Sequence, residues 1–143
     1  MTLNQFEIEL ESKIDNLPII TDFIHNTLTR FQVDASTINK VQLAVDEACT
    51  NIIKYAYSGR AGPLTIGLEV SGQDITVTIK NKGKPFDPTL VPTPDLSSNV
   101  DERPIGGLGI YLMRKLMDSV SYSFSPDEGN RLTLRKTAKT SSR

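Results

Sequence analysis

The sequence predicts an α+β domain with a layer of helices on one face of a mainly antiparallel sheet. Three observations carry that expectation. Apolar residues recur every three or four positions along 17–31 and 38–55, the spacing of helices that bury one side. Two β-rich runs, LTIGLEVS and DITVTIKN, are joined through Ser71-Gly72-Gln73 and read as an antiparallel hairpin. The order strand, helix, helix, strand, strand, loop, helix, strand, strand suits helices layered on a sheet, with no internal repeat.

The elements follow in order. Leu3, Phe6, Ile8 and Leu10 are interleaved with polar residues, as in an edge strand. Asn16 before Pro18 suits a helix start, and Leu17, Ile20, Ile24, Leu28 and Phe31 give that helix its apolar face. Asp34 or Ser36 can cap a second helix, whose stripe is Ile38, Val41, Val45, Ala48, Ile52 and Tyr55 and whose end is marked by Ser58-Gly59. Beyond the hairpin, 82–105 holds five prolines and few apolar residues, and loops of that length are usually functional. The run GGLGIYLMRKLMD starts a helix at a glycine cluster, with Ile110, Met113, Leu116 and Met117 on one face. Strands are expected near 120–125 and 131–136, separated by the turn-prone Pro126-Asp127-Glu128-Gly129-Asn130, and a disordered tail from about 137 to 143.

A length of 143 residues suits a single domain spanning 1–143 with one core. Sixteen basic against seventeen acidic residues give a formal charge of −1, so no overall field draws the chain to nucleic acid or to an anionic membrane. The one cysteine, Cys49, cannot form an internal disulfide. The start MTLNQFEIELES lacks the features of a signal peptide, and no apolar run reaches the roughly 18 residues of a membrane span. These features lead to the expectation of a cytoplasmic protein.

The second helix carries DEACTNIIKYAY, and there Glu47 and Asn51, four apart, lie one above the other at the border of the apolar stripe. A solvated flank is the ordinary reading of such a pair. Two other motifs accompany it. In NKGKPF, Gly83 permits close backbone approach to a ligand and Asn81 offers both a donor and an acceptor. In GGLG, glycines 106, 107 and 109 run into a helix N-terminus, whose free N–H groups favour phosphate. His25 has no visible partner, and Phe6, Phe23, Phe31 and Tyr55 read as core.

This ordered set resembles the GHKL ATPase superfamily, and within it the small serine/threonine kinases that act as bacterial anti-sigma factors. DEACTNIIKYAY is similar to the family's N-box, NKGKPFDP to its first glycine box, GGLGIYLMRKLMD to its second and EGNRLTLRK to its closing strand. The resemblance covers about 6–136. It implies the Bergerat-type ATP-binding fold, a two-layer α/β sandwich with helices on one face of a mainly antiparallel mixed sheet.

The same resemblance implies roles for individual residues. Asn51 would ligate a Mg²⁺ that bridges the ATP phosphates, and Glu47 would be the general base for an attacking serine hydroxyl. Lys54 could approach the phosphates. Asn81, Gly83 and Pro85 would belong to the base-binding end, and Gly106, Gly107, Leu108, Gly109 and Ile110 to the phosphate cradle. The stretch from about 87 to 105 would be the ATP lid. Partners implied are an anti-sigma-factor antagonist of the STAS type and a sigma factor, bound by a homodimer. Asn81 departs from the family's usual Asp, whose carboxylate accepts the adenine amino group; an Asn oxygen still accepts, but its amide hydrogens add donors. Two function classes therefore stand: the kinase, favoured by Glu47 and Asn51, and a non-catalytic nucleotide-responsive regulatory module, favoured by Asn81. Asp87, before Pro88, reads as a turn former.

Overall fold

A computed structural model describes residues 3–90 and 107–139. Five strands, β1 (Leu3–Glu11), β2 (Pro63–Ser71), β3 (Asp74–Asn81), β4 (Ser119–Ser125) and β5 (Gly129–Thr137), form one sheet in the order β1-β2-β3-β5-β4. Three helices, α1 (Leu17–Arg30), α2 (Ala35–Tyr55) and α3 (Gly107–Leu116), pack on one side of it. Every described strand pairing is antiparallel, so the sheet is simpler than the mainly antiparallel mixed one expected.

The helix-facing side of the sheet is a continuous apolar layer. Leu64, Ile66, Leu68 and Val70 of β2, Ile75, Val77 and Ile79 of β3 and Leu132 and Leu134 of β5 are all buried against Ile20, Ile24 and Leu28 of α1 and Val41, Ala44, Val45 and Ala48 of α2. Each such Leu, Ile or Val side chain contributes about 1.5–3 kcal/mol on burial. The alternate residues, among them Glu7, Glu9, Glu69, Lys80, Arg131 and Arg135, lie on the other side and are half-buried or exposed. This clean alternation is what an antiparallel sheet covered on one face requires. β1 is an edge strand as expected, but Leu3 is 52% exposed: it has the parity of Gln5 and Glu7 and so stands on the side away from Phe6, Ile8 and Leu10.

Local chemistry sets the boundaries. Asp34 caps α2, its carboxylate accepting from Thr37 N–H at 3.0 Å, and that bonding holds its carboxyl below the ordinary range. Gly72 has φ 61° between β2 and β3, as a two-residue hairpin loop requires. The tail expected from about 137 begins later, because Thr137 closes β5 and Ala138 is buried, its N–H donating to Gln73 O at 2.7 Å. The remainder of that tail, 140–143, and positions 91–105 of the expected lid lie outside the described residues. Among the described residues, no helix is long and apolar enough to cross a membrane.

Candidate functional site

Register decides what meets at the end of the sheet. β3 and β5 pair so that Asn81 stands directly opposite Asn130, with both side chains on the helix-facing side and both buried. Asn130 Nδ2 lies 3.1 Å from each of three acceptors, Asn81 Oδ1, Gly83 O and Lys84 O, and shares its two hydrogens among them. Its Oδ1 accepts from Tyr122 OH and from Phe86 N–H. Burial pushes the Tyr122 phenol above its ordinary range, which keeps its proton in place as the donor of that bond.

A second set of bonds fixes the NKGKPF segment from the other side. Tyr57 OH donates to Pro63 O at 2.5 Å and accepts from Lys82 N–H at 2.7 Å, tying the end of α2 to β2 and β3. Gly83 N–H donates to Asn81 Oδ1 at 2.9 Å, and Lys84 N–H donates to Ala56 O at 2.8 Å. The glycine is needed because a Cβ at position 83 would collide with the carbonyl of Ala56. Asp87 is the turn former expected: its Oδ1 accepts from Thr89 N–H at 2.8 Å and from the Thr89 hydroxyl at 2.5 Å.

Between this segment and α2 opens a cavity of ≈ 460 Å³ lined by Asn51, Ile52, Tyr55, Ala56, Asn81, Lys84, Pro85, Phe86 and Asn130. Small-molecule pockets run from about 300 to 1,000 Å³. The cavity adjoins an inner recess that reaches Glu47, Ala48, Ile110 and Met113. Glu47 and Asn51 are half-buried and make no hydrogen bond among the described residues. Gly109 of α3 lies so close to Glu47 that a Cβ there would strike Glu47 Oε2.

The residues expected from sequence divide accordingly. Glu47, Asn51, Asn81, Pro85 and Ile110 line the connected cavities, Gly83 shapes their wall and Gly109 abuts Glu47. Gly107 opens α3, Leu108 is 40% exposed and Gly106 lies outside the described residues. Lys54 is exposed and lines neither cavity. The Asn81 oxygen, offered by the sequence as an acceptor for adenine, already accepts from Gly83 and Asn130. Tyr55, assigned to the core, is 42% exposed and lines the cavity, because α2 outruns the sheet that covers its earlier turns. Asn130, assigned to a turn, is the centre of the network, and only the β3–β5 register reveals it. Cys49 is a free, wholly buried thiol, and burial pushes its pKa well above the ordinary value, leaving it unreactive. Among the described residues, no group of three or more His, Cys, Asp or Glu side chains could hold a metal, and His25 is exposed on α1.

A polar-edged pocket between the long second helix and the end of an antiparallel sheet, floored by an apolar layer, defines a two-layer α+β ligand-binding domain. The model of the histidine kinase-like ATPase domain matches residues 10–136, and the chain belongs to that family. It is similar to the serine-protein kinase RsbW of Bacillus cereus and of Bacillus anthracis, at 27% identity over 136 residues, which covers 92% of this chain and 84% of each relative. Its fold is that of the crystal structure of the RsbU and RsbW domains of Rv1364c from Mycobacterium tuberculosis, with a TM-score of 0.69 at 15% identity. That match covers 98% of this chain and 34% of the longer one.

Proposed function

We propose that the chain is an ATP-dependent serine protein kinase that acts as an anti-sigma factor. It phosphorylates an anti-sigma-factor antagonist of the STAS type and, as a homodimer, sequesters a sigma factor. The observation that carries the reading is the pairing of Glu47 and Asn51: two half-buried polar side chains, one turn apart, unbonded among the described residues and facing cavities otherwise lined largely by apolar groups. Half-buried and open to the cavities, both side chains are free to meet a ligand there. Similarity to the serine-protein kinase RsbW supports the reaction class, and the partners are those the family resemblance of the sequence motifs implies.

The donor chemistry at α2 suits a hard divalent cation. Asn51 offers an amide oxygen with no described partner, and Mg²⁺ takes one or two protein oxygens while water and phosphate complete its shell. When bound, Mg²⁺ neutralises the charge of the transferring phosphate. Asn51 would hold that ion, and Glu47 would accept the proton of the substrate serine. The N–H groups from Gly107 to Ile110 would orient the phosphates. The stretch from about 87 to 105 is the proposed lid. Transfer then rests on positioning, with little covalent work by the protein.

The test is incubation with labelled ATP, Mg²⁺ and a purified STAS-type antagonist. Label on an antagonist serine is expected. Tight, Mg²⁺-dependent ATP binding with no transfer to any antagonist would replace the kinase with the non-catalytic module.

A further inference from the structure

The geometry points to Asn81 meeting the nucleotide base as a hydrogen-bond donor, so that the pocket does not discriminate against 6-oxopurine nucleotides such as inosine and guanosine triphosphates. The inference rests on the nucleotide reading of the pocket given above and deepens it.

Fixed donors and acceptors orient the amide of Asn81. Backbone Gly83 N–H can only donate, and it lies 2.9 Å from Oδ1. Asn130 is fixed in the same way: its Nδ2 faces the carbonyls of Gly83 and Lys84, which can only accept, so Nδ2 is also the donor toward Asn81 at 3.1 Å. Turning the Asn81 amide over would set two donors against donors in a buried place. One lone pair of Oδ1 is therefore held by Gly83 N–H, and the other faces Nδ2 of Asn130, which shares its two hydrogens among three acceptors. What remains of the side chain is Nδ2, which has no hydrogen-bond partner among the described residues. Asn81 is 7% exposed and lines the cavity, and Nδ2 is the part of it left to meet a ligand. Asn130 cannot substitute as an acceptor, because its own oxygen is held by Tyr122 and Phe86.

The two purine types present opposite edges at this point. Adenine carries an amino donor at C6 and an acceptor at N1. Hypoxanthine and guanine carry an acceptor at O6 and a donor at N1. A carboxylate reads the adenine amino group and is repelled by a carbonyl. Nδ2 can bond to adenine only through N1, leaving the amino group unread, and bonds to O6 of an oxopurine directly. Asp at this position would keep the two bonds from Gly83 and Asn130 on Oδ1 and exchange only Nδ2 for an acceptor. One atom thus sets the polarity of base recognition.

The experiment is calorimetric titration of the whole protein with ATP and with ITP, each with Mg²⁺, in wild type and in Asn81→Asp. ITP is the cleaner oxopurine probe because it differs from ATP only at C6 and in the proton at N1. Wild type is expected to bind ITP at least as tightly as ATP, and Asn81→Asp to shift the affinity ratio toward ATP by about tenfold or more, the size of one mismatched buried polar contact. A wild-type preference for ATP of tenfold or greater overturns the donor assignment while leaving the nucleotide site standing, and this measurement needs no variant. An unchanged ratio in a folded Asn81→Asp protein overturns it as well. Failure of wild type to bind either nucleotide would overturn the nucleotide reading itself, and the inference with it.

Discussion

At the β3 end of the pocket, every backbone N–H from Lys82 to Phe86 is bonded, to Tyr57, Asn81, Ala56, Tyr122 or Asn130, and Pro85 has none to bond. At the α2 end, the side chains of Glu47 and Asn51 have no hydrogen-bond partner among the described residues, although both border the core. At one end the backbone donors are all engaged in the free protein, and at the other the polar side chains are left unspent. Preorganisation lowers the cost of binding where shape must be recognised. Groups that act on a changing charge distribution are most useful when the protein itself does not occupy them. On the proposed function, recognition falls to the sheet end and chemistry to the helix end, and substitutions at the two ends should fail differently.

The largest effect is expected from Glu47→Gln. The change keeps size and hydrogen bonding but removes the base, so serine phosphorylation should fall by about 10²–10⁴ while nucleotide affinity and melting temperature stay near wild type. Single-turnover transfer beside a binding titration measures both. Transfer at the wild-type rate would take Glu47 out of the reaction.

Next is Asn130→Ala, which should act on the fold and on binding together. It leaves the carbonyls of Gly83 and Lys84 without this donor and the oxygen of Asn81 with Gly83 N–H alone, and a buried polar group left unpaired costs about 1–3 kcal/mol. A lower denaturation midpoint and weaker nucleotide binding should appear in the same protein. Loss of binding at unchanged stability would mean that Asn130 is a contact residue and that the network does not hold the wall.

Asn51→Ala should do the reverse. Because the side chain bonds to nothing described and is only half-buried, stability should hold, while nucleotide affinity in the presence of Mg²⁺ should fall by about tenfold. Titrations with Mg²⁺ and with a chelator separate a metal ligand from an ordinary contact, since only the former loses the Mg²⁺-dependent part.

The two ends also differ in how much of them the sequence discloses. Glu47 and Asn51 share a helix, and the pitch of 3.6 residues per turn places them together once the stripe Ile38, Val41, Val45, Ala48 is seen. That part of the site is local, and local periodicity finds it. The sheet end depends on a contact between residues 49 positions apart, and the register that makes it comes from strand pairing across α3 and β4. Nothing in PDEGN marks Asn130 as more than a turn residue. Tyr55 fails for a related reason: the periodicity of α2 continues past the point where the sheet stops covering it, so the apolar spacing outlasts the burial. Leu3 belongs to the apolar residues of β1 by type, but its parity puts it on the other face from Phe6, Ile8 and Leu10.

The smallest effect, and the finest test of the bonded end, belongs to Tyr122→Phe. The ring stays half-buried, and only the hydroxyl is lost, which donates to Asn130 Oδ1 and accepts from Phe86 N–H at 3.1 Å. Phe86 N–H still has Asn130 Oδ1 at 3.4 Å, and that oxygen keeps one donor, so neither partner is orphaned. The cost near neutral pH should be that of one net hydrogen bond, about 0.5–1.5 kcal/mol, read as a shift in the urea midpoint at constant m. The pH dependence tests the burial of the hydroxyl. Burial raises the folded-state phenol above its usual value of 10.0, so the folded state holds that proton more tightly than the unfolded one. The stabilisation is therefore full below the ordinary tyrosine pKa and declines as pH rises toward and through the raised folded value. Wild type should lose its advantage over Tyr122→Phe across that alkaline range, while Tyr57, whose phenol burial also raises, is common to both proteins and cancels. A difference that stays constant from neutral pH to well above 10 would mean that burial does not hold the Tyr122 proton more tightly in the folded state than in the unfolded one.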